Sequence, residues 1–135
     1  MSGLGIEDRL ALQDMLVGYC RAIDRRADAD DAAAFYAQQG VLDNSAVGAP
    51  VAEGREEVRA MIDGMFTGME SLEHYLSNFV VESSDADRAH LSAYVVAHGK
   101  PKEGDAFSMR GTYAVEGRNV DGAWRIARLT FTPFG

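Results

Sequence analysis

Near Leu72 the spacing of apolar residues changes from the 3.6-residue period of a helix to the two-residue period of a strand, and this switch restricts the fold more than any other feature. Helical segments come first and strands follow, the order of an α+β protein rather than of an alternating α/β one. With 135 residues, 47% of them hydrophobic, the chain has the size of one domain, 1–135, able to bury a real core.

Residues Ile6 to Arg26 read as one amphipathic helix. At about 100° per residue, Ile6, Leu10, Leu12, Leu16, Val17, Tyr19, Cys20 and Ile23 fall in one broad arc, and Glu7, Arg9, Asp14, Arg21 and Arg25 lie opposite. Asp24 stands inside the apolar arc, on the line of Ile6, Leu10 and Val17, where an unpartnered carboxylate would cost stability. A short second helix is expected from Asp31 to Gln38, capped by Asp30 or Asp31 and ended by Gly40. Val41 to Asp43 forms a short strand, and Asn44 to Gly54, with two glycines and a proline, a loop. A third helix starts near Arg55. Its stripe of Val58, Met61, Ile62, Met65, Phe66 and Met69 is either core packing or the pliable wall of a pocket.

Four strands are expected over Glu73–Ser83, Arg88–Lys100, Ala106–Arg118 and Ala123–Thr132, and their short links imply antiparallel neighbours. Trp124 and Ile126 are out of phase with Leu129 and Phe131, which predicts a bulge near Ala127-Arg128 and a strongly curved sheet.

A net charge of −8 without clustered Lys and Arg argues against a nucleic-acid surface. No apolar stretch approaches the roughly 20 residues that span a bilayer. The opening residues have no basic start followed by an apolar segment, so the chain is expected in the cytoplasm. The lone Cys20, in a helical pattern, reads as a small buried hydrophobe. Glycine-rich phosphate loops and nucleophile elbows do not occur, and no His, Asp or Glu pair has a helical ligand spacing. Neither a metal nor an organic cofactor is expected.

The residues left for chemistry are histidines and one aspartate. Period two puts His74, Leu76, Asn78 and Val80 on one face of the first long strand, and Tyr94, Val96 and His98 on one face of its neighbour, so the two histidines are expected to face each other. A carboxylate bonded to a histidine ring nitrogen fixes the tautomer and equips the ring for proton transfer. Asp24 is the candidate carboxylate; the other reading makes it an ion-pair partner of Arg110 or Arg128.

Taken together, Ile6-Glu-Asp-Arg-Leu-Ala-Leu-Gln-Asp with Tyr19-Cys-Arg-Ala-Ile-Asp24, Gly54-Arg-Glu56, His74-Tyr-Leu-Ser-Asn78 and Asp121-Gly-Ala-Trp-Arg-Ile126 resemble the SnoaL-like branch of the nuclear-transport-factor-like superfamily. The resemblance spans essentially the whole chain. It implies a cone-shaped, curved antiparallel sheet packed by about three helices and enclosing one apolar pocket, a cystatin-like α+β barrel. The layout is also similar to the scytalone dehydratase family, which works by acid–base chemistry without metal or cofactor. That similarity implies catalytic roles for Asp24, His74 and His98. Where that family has a tyrosine before the aspartate and another in the early strand, this chain has Ile23 and Asp43-Asn44.

The expected function is therefore a cofactor-independent lyase, dehydratase or isomerase acting on a small, mostly apolar cyclic carbonyl or hydroxy compound. Asp24 holds His98 as acid or base, His74 with Asn78 polarises the substrate oxygen, and Tyr19, Tyr94 or Tyr113 adds a hydroxyl beside Met65 and Phe66. The alternatives are a non-catalytic hydrophobic-ligand or interaction module and the small subunit of a ring-hydroxylating dioxygenase. A homodimer or homotrimer is expected, formed to cover a sheet face bearing Phe107, Met109 or Leu129.

Overall fold

The computed structural model describes residues 4–135, apart from the side chains of residues 83 and 84. The first three residues, on which the expectation of no secretion signal partly rests, lie outside it. Three helices pack on an open, six-stranded mixed sheet: α1 (Ile6–Arg25), α2 (Ala29–Ala33), β1 (Tyr36–Asp43), β2 (Ala52–Glu53), α3 (Arg55–Gly68), β3 (Met69–Asp85), β4 (Arg88–Pro101), β5 (Phe107–Val120) and β6 (Ala123–Pro133). The strand order is β2-β1-β6-β5-β4-β3. No helix among the described residues is long and apolar enough to cross a membrane.

Helix α1 buries Leu12, Met15, Leu16, Tyr19, Cys20 and Ile23, whereas Ile6 and Leu10 at its start are 74% and 53% exposed. It is fastened at both ends. The Trp124 indole N–H donates to Asp8 (3.1 Å), and the Arg26 guanidinium donates to the Met69 carbonyl (2.8 Å). These ties hold the helix across β6 and the start of β3, which sets where Asp24 can reach.

The second helix is shorter than its spacing predicts and is capped by Asp28, which accepts from the Asp30 N–H. Tertiary pairing overrides local pattern here. Tyr36 to Asp43 are drawn into the sheet as β1, which runs parallel to β6, so the sheet is mixed rather than wholly antiparallel. Between Tyr36 and Val41 the register shifts, and at Gly40 a Cβ would stand 2.7 Å from the Ile126 carbonyl oxygen. Only glycine lets the two backbones approach so closely. The Tyr36 carbonyl accepts two bonds from Arg55 at the start of α3 (3.0 and 2.6 Å). Removing that partner strands a carbonyl, so Arg55→Ala is expected to lower the stability measured by urea unfolding by about 1.5–3 kcal/mol.

Two of the sheet's bulges bear on the site. In β6, Glu116 pairs with Arg128 and Gly117 with Ile126, leaving Ala127 as the extra residue where the phase break predicts it. In β3, Ser77 pairs with Tyr94 but Val80 with Ser92, and Asn78 sits at φ 56°. The second bulge reverses the strand's phase. His74 and Leu76 point inward before it, and Phe79 and Val81 after it, so the expected single face from His74 through Val80 does not form. Of the three residues expected on an open apolar sheet face, Phe107 is exposed, whereas Leu129 is buried and Met109 packs against the core.

Candidate active site

Between the inner face of the sheet and α1 and α3 lies a cavity of about 150 Å³. Its wall is mostly apolar, built by residues such as Leu42, Met65, Leu72, Leu129 and Phe131. Tyr19, Asn44, His74 and Tyr113 supply its polar groups, and His98 borders it.

Asp24 occupies the last turn of α1 and faces β3, as its place in the apolar arc predicts. Its carboxylate closes a two-point contact with one residue. One oxygen lies 2.6 Å from His74 Nδ1, and the other accepts the His74 backbone N–H at 2.9 Å. The two side chains keep 25% and 11% of their exposure, respectively, so the pair is screened from bulk water. A carboxylate only accepts, so Nδ1 carries the proton and the lone pair of the neutral ring belongs to Nε2. Tyr113 stacks on the imidazole with ring centroids 6.5 Å apart. The result is an imidazole held in one tautomer and one orientation at the wall of an apolar cavity.

His98 does not join this pair. Across β3 and β4, His74 is opposite Ala97 and Glu73 is opposite His98, so the two histidines lie on opposite faces of the sheet. Its Nδ1 is bonded to the Ser108 hydroxyl (2.6 Å), and it borders both the cavity and an outer groove between β3, β4 and β5. The expected Asp24–His98 bond is thus replaced by Asp24–His74, because pairing register decides which neighbour shares a face. The ion-pair reading of Asp24 also fails: among the described residues neither Arg110 nor Arg128 pairs with it, and Arg128 binds Asp43 instead (2.5 Å).

The expected binding residues divide in the same way. Tyr19, Tyr113 and Met65 line the cavity. Asn78 is turned outward by its bulge, Tyr94 is exposed on the outer face with its ring against Phe134, and Phe66 packs on the core without lining the cavity. Sequence reasoning passed over Leu42, Ala97 and Phe131, and named Asn44 only as standing, with Asp43, where the similar family has a tyrosine. Inward phase marks Ala97 and Phe131, but Asn44 lies in a loop whose path no periodicity records. No third His, Cys, Asp or Glu among the described residues joins Asp24 and His74 in a metal-binding group.

Burial pushes the phenols of Tyr19, Tyr36 and Tyr113 well above their ordinary range and raises the Cys20 thiol, with the Asp24 charge adding to the latter. Tyr19 and Tyr113 are therefore neutral hydrogen-bond donors at the cavity wall. A raised folded-state value means that stability is complete below the ordinary phenol range and declines as pH rises beyond it. Urea unfolding is expected to show a falling midpoint above about pH 10, with phenolate absorbance from the three buried rings appearing only as the protein unfolds.

A SnoaL-like domain profile matches residues 5–130, and the chain belongs to the SnoaL-like family. Among solved structures, a candidate aromatic ring hydroxylase from Novosphingobium aromaticivorans is 32% identical, with a TM-score of 0.93 over 98% of this chain and 92% of that one. A candidate scytalone dehydratase from the same organism is 21% identical (TM-score 0.87; 96% and 86% covered). The hexachlorocyclohexane dehydrochlorinase LinA-type3 from Novosphingobium barchaimii is also 21% identical (TM-score 0.81; 96% and 92% covered). The last two show a common fold. No curated protein matches the chain.

Proposed function

We propose that this protein is a cofactor-independent acid–base enzyme of the lyase or isomerase type, acting on a small, mostly apolar ring compound. The observation that carries this reading is the Asp24–His74 pair at the wall of an apolar cavity. His74 Nε2 accepts a proton from a ring carbon, and Asp24 stabilises the imidazolium that forms. The released electron pair forms a C=C bond as a neighbouring leaving group departs, or moves onto a conjugated carbonyl oxygen. A buried, neutral Tyr113 or Tyr19 hydroxyl is suited to stabilise charge developing there. Names given to structural neighbours, a dehydratase and a dehydrochlorinase, agree with elimination chemistry.

The test incubates a panel of single-ring ketones, alcohols and halides with the protein in heavy water. Elimination or deuterium incorporation is followed by NMR. Turnover in the wild type that disappears in Asp24→Asn supports the reading. Binding without turnover or exchange across the panel replaces the enzyme with a ligand-sequestering module.

A second reading, a subunit serving a larger ring-hydroxylating oxygenase, is favoured by the name of the 32%-identical neighbour. It predicts stable association with a large partner chain. Self-association is proposed through the outer sheet face, where Tyr75, Val80, Tyr94 and Phe134 are exposed, and the mass in solution tests it.

A further inference from the structure

The dyad accounts for the base but leaves open what selects the ligand's polar end. We propose that Asn44 is the specificity-determining residue of the cavity, its side-chain amide donating a hydrogen bond to the carbonyl or hydroxyl oxygen of a single-ring ligand whose C–H meets His74. This deepens the reading above by naming the substrate class and the group that recognises it.

Asn44 follows β1, while His74 belongs to β3, and these strands lie towards opposite edges of the curved sheet, with only the two-residue β2 beyond β1. Both residues nevertheless line the same cavity, so they address a ligand from different sides. The Asn44 backbone is firmly placed. Its carbonyl accepts from Val47 and Ala49 (3.1 and 3.3 Å), which closes the turn that follows. On its N-terminal side, Asp43 is held by Arg128 and by both the backbone N–H (3.0 Å) and the hydroxyl (2.6 Å) of Ser45. The Asn44 side chain, by contrast, is part-buried, and its amide forms no hydrogen bond among the described residues. A polar group on a clamped backbone, without an internal partner, in a mostly apolar wall, is arranged to meet a polar group of a ligand. The size of the space sets the class: an apolar cavity of about 150 Å³ accommodates benzene, so one six-membered ring fills this one.

The experiment compares cyclohexanone with methylenecyclohexane, its hydrocarbon isostere, in NMR titrations of wild type, Asn44→Leu and Asn44→Asp. The wild type is expected to bind the ketone about fivefold to tenfold more tightly, the worth of one hydrogen bond. Both variants are expected to lose that preference, Asn44→Leu by losing all polarity and the isosteric Asn44→Asp by presenting an acceptor to an acceptor. No preference in the wild type, no ketone binding, or a preference that survives in either folded variant overturns the proposal. Since binding is read without catalysis, the two readings fail separately. An unchanged preference in Asn44→Leu beside lost turnover in Asp24→Asn rejects Asn44 and keeps the dyad. A preference erased by Asn44→Leu in a protein that exchanges no ring proton does the reverse.

Discussion

Replacing Asp24 with Asn is expected to lower turnover about 10²- to 10⁴-fold, the usual contribution of a positioned general base, while leaving the protein folded. Asparagine keeps an oxygen for the His74 backbone N–H, so the link between α1 and β3 survives. Its NH₂ group then faces Nδ1 as a donor, which moves the ring proton to Nε2 and disables the base. His74→Ala removes the base itself and should fall in the same range. His98→Ala is the discriminating control. Its ring is bonded to Ser108 on the face away from His74, and its loss is expected to change the rate by less than about tenfold. Steady-state rates on whichever panel compound turns over, together with melting curves, check all three. A His98→Ala enzyme as impaired as His74→Ala would overturn the assignment of the base.

The largest stability effect is expected at Leu16. It is fully buried against the sheet in the middle of α1, and Leu16→Ala should cost about 2–5 kcal/mol, roughly 10 °C in melting temperature for a domain of this size. Leu10→Ala, six residues earlier on a half-exposed surface, should stay within about 0.5 kcal/mol. Thermal and urea unfolding of the two variants measure the contrast directly. Because α1 presents Asp24 eight residues beyond Leu16, loosening this helix should also weaken the dyad before the protein unfolds globally.

Leu10 and Leu16 also show what a helical wheel can and cannot read. Both satisfy the apolar arc, but only packing against strands far along the chain distinguishes them. The arcs and alternations of single elements were legible: α1, α3, the four long strands and even the bulge at Ala127 follow from residue spacing. Asp24 was legible as an inward carboxylate for the same reason. Its partner was not, since choosing between His74 and His98 requires the register between β3 and β4. A shift of one residue in that register moves a side chain to the other face. Asn78 misled for a related cause: one extra residue in β3 reverses the alternation beyond it. The parallel pairing of β1 with β6 joins segments too distant in sequence for any local pattern to announce.

That pairing also dictates the order in which the molecule can be assembled. β6 follows every other described strand in the chain, yet it sits inside the sheet between β1 and β5. Until Ala123 to Pro133 emerge, β1 can pair only with the two-residue β2, and the β3-β4-β5 meander cannot be joined to it. Leu129 and Phe131, which complete the cavity wall, arrive in the same segment. A nascent chain stalled before residue 123 therefore exposes the apolar faces of α1 and the meander at once, and folding waits on a contact between distant segments, the class of event that makes folding slow.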